Sequence, residues 1–183
     1  MAEERIKIKI SRNLAIFLAL FLIIIFVIVY FKISEYKPLT TINYKGLVLQ
    51  FRADLREANK IETDEEAIRR ILWDKNIKNV TIVFTNSSDL ELLGVESFEI
   101  AYKLRLAYLL EGYDVEIKGK DFNYPFSFES LPKPSIVLIP PSLSNETFVK
   151  VEDSLIIISG KDKKDFDLAT VKFLIVALGL KFS

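Results

Sequence analysis

The chain reads as an α/β protein: an N-terminal single transmembrane helix followed by a three-layer α/β sandwich with a mostly parallel or mixed sheet. Three observations predict this. Residues 14–31 are an unbroken apolar run of about one bilayer's length. Beyond residue 45, strand-like and helix-like segments alternate, the pattern of helices packed on a sheet. Two of the strand segments, 136–139 and 155–159, are apolar almost throughout, which asks for burial on both faces.

Residues 1–13 form a short basic tail, carrying Arg5, Lys7, Lys9 and Arg12 against Glu3 and Glu4. The run that follows has no charge, Gly or Pro. As a helix it rises roughly 27 Å, close to the ~30 Å hydrocarbon core. Tyr30 suits the headgroup interface, and Arg12 and Lys32 can snorkel at either end. A buried core helix would show a polar stripe. A cleaved signal peptide would have a shorter apolar stretch and a small-residue cleavage site, whereas the flank reads Phe31-Lys32-Ile33-Ser34. Residues 14–31 are therefore expected to remain as an anchor in the lipid bilayer. Basic residues are denser before the run than after it, which puts the N-terminus in the cytoplasm and the following domain outside. Three Asn-x-Ser/Thr triplets, at Asn79, Asn86 and Asn145, all follow the anchor. Chance predicts fewer than one among eight Asn, so they support the same topology as possible N-glycosylation sites.

Residues 32–45 read as a stalk interrupted by Pro38, and residues 46–183 as the extracytoplasmic domain. From 46 to 55 the chain alternates, with Leu47, Leu49, Phe51, Ala53 and Leu55 on one face, as in a half-buried strand. Thr63 and Glu66 have capping-box spacing ahead of the stripe Ala67, Ile68, Ile71 and Leu72. Residues 80–85 form a β-branched strand and 86–93 a polar loop. A helix is expected over about 95–111, with Phe98, Ala101, Leu104, Leu106 and Leu109 apolar, a Glu99–Lys103 pair at i, i+4 and Gly112 as its stop. Residues 114–118 form a strand, 119–134 an aromatic loop, 136–139 a strand, 148–151 a short edge strand and 155–159 a strand. A final helix runs over about 165–178 and ends at Gly179. Asp167 and Lys172 interrupt it, so it is not a second span.

Composition excludes several chemistries. The chain has no Cys and no His, so thiol nucleophiles, disulfides, imidazole bases and most zinc sites are absent. Six Gly residues occur, none spaced as a phosphate loop or dinucleotide fingerprint, and no nucleotide or other cofactor is expected. Residues 33–183 carry 20 basic and 23 acidic side chains, a balance that does not suit nucleic acid. Abundant Ile, Lys and Glu with one Met is a bias shared with proteins of heat-loving organisms.

Two constellations stand out as candidate sites. Asp162, Asp165 and Asp167 follow a strand end, where ligands gather in α/β sheets and clustered carboxylates can hold a divalent cation. Helix capping and dipole compensation explain the same residues more simply. Tyr124, Phe126 and Phe128, with Asp121 and Glu129 nearby, offer aromatic stacking for a glycan or protein partner, unless the rings fold back over the sheet. Arg52, Asp54, Arg56 and Glu57 read as a solvated charged face. The expected function is an anchored extracytoplasmic interaction domain for a membrane or cell-surface protein or a glycan. The alternatives are a carboxylate-based envelope hydrolase such as a glycosidase, which needs a facing carboxyl pair roughly 5–10 Å apart, and an accessory subunit of a membrane complex.

Overall fold

The structure, a computed structural model, describes residues 21–27, 40–85, 87–123 and 125–181. The chain divides into two compact units, Met1–Lys37 and Pro38–Ser183. In the first, residues 21–27 are helical, with exposed apolar side chains. The rest of the 14–31 run lies outside the described residues, and among those described no helix is long and apolar enough to cross a membrane.

The second unit is an α/β fold. Strands β1 (Thr40–Tyr44) and β2 (Leu47–Phe51) form an antiparallel hairpin. Two helices follow, α1 (Leu55–Ala58) and α2 (Glu65–Leu72). Next come β3 (Asn79–Thr85), α3 (Leu90–Leu110), β4 (Glu116–Phe122), β5 (Ser135–Ile139), β6 (Phe148–Glu152), β7 (Leu155–Ser159) and α4 (Lys163–Leu178). The main sheet has the order β4-β3-β5-β7-β6. Its first four strands are parallel, and β6 pairs antiparallel with β7 at the edge. The expected mixed sheet and edge strand are both present.

Register sorts the strand residues onto two faces. Ile82, Ile136 and Ile156 are cross-strand neighbours and join a large core with side chains of α1 to α4 and the hairpin. Val83, Val137 and Ile157 form the matching row on the opposite face. That face is covered by Leu131 and partly buried Phe122, Phe126 and Phe128. The described helices thus gather on one face of the sheet. The aromatic 119–134 connection covers the other, where a helical layer was expected. Four large apolar side chains within a dozen residues provide the cover that helices otherwise would.

Local boundaries differ for identifiable reasons. Thr40–Tyr44, assigned to the stalk in the sequence, is β1, because pairing with β2 satisfies its backbone. The expected 46–55 strand ends at Phe51: Asp54 accepts from the amides of Arg56 and Glu57 and starts α1 instead. Asp64, not Thr63, caps α2, accepting from the Ala67 amide at 2.9 Å. Helix α3 begins at Leu90, a turn earlier than its periodicity suggested, taking in the second half of the expected polar loop. Strand β4 is shifted later, to Glu116–Phe122, following its pairing with β3.

Helix α4 is the centre of the unit, with every residue from Leu168 to Leu178 buried. Trp73 Nε1 donates to the Ala177 carbonyl (2.9 Å) and Tyr108 Oη to that of Leu72 (3.0 Å). The two rings meet edge-on at 5.0 Å. These contacts tie the ends of α2, α3 and α4 together. Lys172, 3 % exposed, donates to Asn59 and Glu65 and fastens α4 to α1 and α2. Gly179 closes the helix at φ 64°, with the Leu180 amide donating to Ile175, as the sequence anticipated.

Gly160, between β7 and α4, is fully enclosed, and a Cβ there would overlap the Phe166 backbone. Gly160→Ala is expected to lower unfolding stability by about 3 kcal/mol, read from the shift of the denaturant midpoint of the full chain in detergent.

Candidate functional site

The three aspartates after β7 do not converge. Asp162 caps α4 by accepting from the Asp165 amide at 2.8 Å. Asp165 accepts from Thr147 Oγ1 (2.9 Å) and pairs with Lys161 (3.1 Å); these partners outweigh its desolvation and hold its carboxyl below the usual range. Asp167 turns the other way, into the interface between α4 and α3. Among the described residues no group of acidic side chains is placed to hold a metal ion. The three carboxylates serve as a cap, in line with the simpler reading of these residues, an ion pair and one inward group, because successive helical positions point about 100° apart.

The aromatic connection folds inward. Phe126 and Phe128 meet edge-on at 5.6 Å, and Phe122 stands 6.2 Å from Phe126, all against the back face of the sheet. Tyr124 lies outside the described residues. Asp121 and Glu129 are exposed, and only Glu129 borders the shallow hollow beside Phe126 and Phe128. Of the triplet asparagines, Asn79 and Asn145 are exposed and Asn86 is outside the described residues. Asp54 and Asp64 are helix caps.

What the structure does bring together is a buried cluster of charge. Glu96 and Glu99 of α3 face Asp167 and Thr170 of α4, with Lys103 and Arg52 alongside. Glu96 is 1 % exposed, and its Oε2 has no hydrogen-bond partner among the described residues. Burial, then the charges of Asp167 and Glu99, push the Glu96 carboxyl up to about 8, against the opposing pull of Thr170 and Arg52. Burial and Glu99 likewise raise Asp167 to about 6, while Arg52 and Lys103 hold it down. Glu99 pairs with Lys103, whose Nζ sits 4.4 Å from the centre of the Phe51 ring. Phe51 thereby links the cluster to the hairpin.

Glu99, Lys103 and Arg52 also reach the surface, at the floor of a groove of about 540 Å³ between β2 and α3. The outer wall of that groove is apolar. Phe98 is 71 % exposed, Val48 65 % and Tyr102 52 %. The Phe98 and Tyr102 rings stack with planes 9° apart and centres at 6.0 Å. They form a ridge, with a second hollow of about 780 Å³ on its far side, bordered by Arg105 and Ile117. Glu91, Gly94, Phe98, Tyr102, Arg105 and Leu109 follow one another at three- and four-residue steps, so they share one stripe of α3.

Comparison with known protein families, characterised proteins and solved structures finds no match. The site therefore rests on its own geometry. The sequence marks Glu99–Lys103 as a helical pair, Phe98 as apolar and Arg52 as part of a solvated charged face, whereas Glu96 and Tyr102 carry no such mark. The available signal was α3 itself, whose apolar residues fall around the whole helix, so its periodicity did not single out one buried face.

The cluster fixes a pH dependence. An acid with a raised folded-state value gives up its proton first in the unfolded chain. Stability therefore falls as pH rises from near the usual carboxyl values towards 8, and levels off above that. Glu96→Gln removes this loss. At 1.36 kcal/mol per unit, the rise from 4.5 to about 8 makes the variant more stable than wild type by on the order of 5 kcal/mol at pH 9, and nearly equal to it at pH 4. Denaturant titrations at the two pH values check this.

Proposed function

We propose that the chain is a membrane-anchored binding domain, held by residues 14–31 with its α/β unit outside the cytoplasm. Its partner, a membrane or cell-surface protein, is engaged through the α3 ridge. The observation that carries this reading is the exposed Phe98–Tyr102 pair with Val48 beside it. Contiguous aromatic and aliphatic surface of this kind favours a partner over water, and aromatic anchors dominate the energy of protein interfaces. The charged rim from Arg52, Glu91 and Arg105 supplies orientation. The anchored topology is supported by the apolar run, the basic tail and the three triplets. The glycan-binding form of the reading draws on the aromatic loop, whose rings instead support the sheet, so the protein partner is preferred.

The hydrolase reading has one observation in its favour: Glu99 lines a groove next to two carboxyl groups with raised values. Pairs of carboxyls with separated values are how glycosidases assign acid and base roles. Glu99 is, however, the one member of the three that borders the groove, and Lys103 neutralises it. Binding fits this arrangement better than general acid catalysis. The accessory-subunit reading differs in placing the contact on residues 14–31.

The test is purification of the intact chain from native membranes after mild detergent extraction, comparing wild type with a Phe98→Asp, Tyr102→Asp double variant. Both positions are exposed, so folding stability should change by less than about 0.5 kcal/mol per substitution, while the copurifying partner is lost. Retention of the partner by the double variant, and its loss when residues 14–31 are replaced by an unrelated span, would favour the subunit reading. Glycan on Asn79 or Asn145, together with cleavage of the domain by protease added to intact cells, is the expected topological result. Protease resistance with unmodified asparagines would reverse it.

A further inference from the structure

We infer that the partner of the α3 ridge is a second copy of this chain, packed antiparallel across a two-fold axis at Phe98; this rests on the reading of α3 as the binding face. The stripe is self-complementary about that residue. Gly94 lies four positions before Phe98 and Tyr102 four after it. Glu91 lies seven before and Arg105 seven after. Two antiparallel α3 helices crossing at Phe98 therefore set each Tyr102 opposite the partner's Gly94, and each Glu91 opposite the partner's Arg105. An interface on a two-fold axis requires this reciprocity, in which residue i meets j and j meets i.

Gly94 has no role within its own chain that explains it. It sits inside a helix, where glycine is disfavoured, and a Cβ there would meet nothing within 4 Å. It leaves a notch at the mouth of the groove between β2 and α3. A tyrosine ring from a facing helix fills such a notch. The ridge itself is flanked by hollows on both sides, one against the hairpin and one against β4. Ridge-into-groove packing at a shallow angle is the ordinary way two helices meet.

The charges agree with the same axis. Glu91 is exposed and borders one hollow, while Arg105 borders the other. Arg105 already donates to the Val115 carbonyl at 2.6 Å and stands 3.5 Å from Asp114. This holds its guanidinium at the surface with further donors available. A parallel pairing would instead place Glu91 beside Glu91 and Arg105 beside Arg105.

The absence of cysteine makes the test direct, since any disulfide must come from an introduced residue. The full chain is oxidised with copper phenanthroline in its native membranes. Phe98→Cys, on the axis, is expected to give a covalent dimer. Gly94→Cys and Tyr102→Cys chains are expected to cross-link when co-expressed, far more than either alone. Lys150→Cys, exposed on β6 at the opposite edge of the sheet from β4, controls for collisions imposed by a shared membrane. In the uncross-linked chain, Arg105→Glu should lower the dimer fraction at least tenfold in detergent sedimentation, and adding Glu91→Arg should restore it. Equal cross-linking of Lys150→Cys and Phe98→Cys, or failure of the charge reversal to rescue, overturns the antiparallel dimer. If Phe98→Cys cross-links to a different membrane protein and never to itself, self-association falls while the binding face stands. If α3 cysteines cross-link to nothing and the Phe98→Asp, Tyr102→Asp variant keeps its partners, both readings fall.

Discussion

Helix α4 sets the constraint on which the rest of the domain depends. It is apolar on nearly every side, and every residue from Leu168 to Leu178 is buried. A helix of that kind is stable only if something covers its whole circumference. The main sheet covers one side, α3 another, and α1 with α2 the remainder. Two of its inward polar residues mark where those neighbours must sit. Lys172 finds Asn59 and Glu65 at the α1–α2 side, and Asp167 meets the acidic row of α3. The helices crowd one face of the sheet because α4 needs them there. The other face receives the aromatic connection.

Helix α3 follows a different logic. Its inner side carries Leu93, Ile100, Leu104 and Ala107 into the core, and its outer side carries Phe98, Tyr102 and Leu109 into solvent. Between these two apolar sides run Glu96, Glu99 and Lys103, all nearly buried. A buried charge that lacks full pairing costs stability, and the raised carboxyl of Glu96 is a direct sign of that cost. The row contributes orientation instead. Rotating α3 by one residue, about 100°, would exchange Phe98 with Glu99 and Tyr102 with Lys103. The Lys103–Phe51 contact and the Asp167 side would then be lost together.

The elements of the sheet were largely legible in the sequence, because continuous apolar runs such as Leu155–Ser159 and β-branched runs such as Asn79–Thr85 have few other fates. Gly179 and the edge position of β6 were legible for similar reasons. The candidate site was much less so. Asp162, Asp165 and Asp167 look alike as a list, and only the winding of α4 sends one to a cap, one to Thr147 and one inward. The aromatic loop looked like a binding surface because nothing in its own sequence says that the sheet lacks a helix on that side. Arg52 sat in a run of charges that looked solvated, yet it closes the cluster from across the hairpin. For Asp167, Arg52 and the phenylalanine rings the deciding partner is distant in sequence, which single-chain periodicity does not reveal.

An exposed apolar ridge is usually weighed against solubility, and here the cost is concentrated on one helix. Phe98, Tyr102 and Leu109 could each be polar without touching the core, since none of them is buried in it. Gly94 could be alanine, with open space for the added carbon and a helix gain of roughly 0.5–1 kcal/mol. Four separate positions on one stripe thus depart from what the isolated domain would favour, while the positions between them, Glu96, Glu99 and Ile100, satisfy the inside of the fold. Departures from local consistency concentrate at functional positions. Their alignment on a single stripe of α3, with opposite charges at its two ends, is the physical reason for proposing that helix as the binding face, in preference to the strand ends where α/β domains commonly bind.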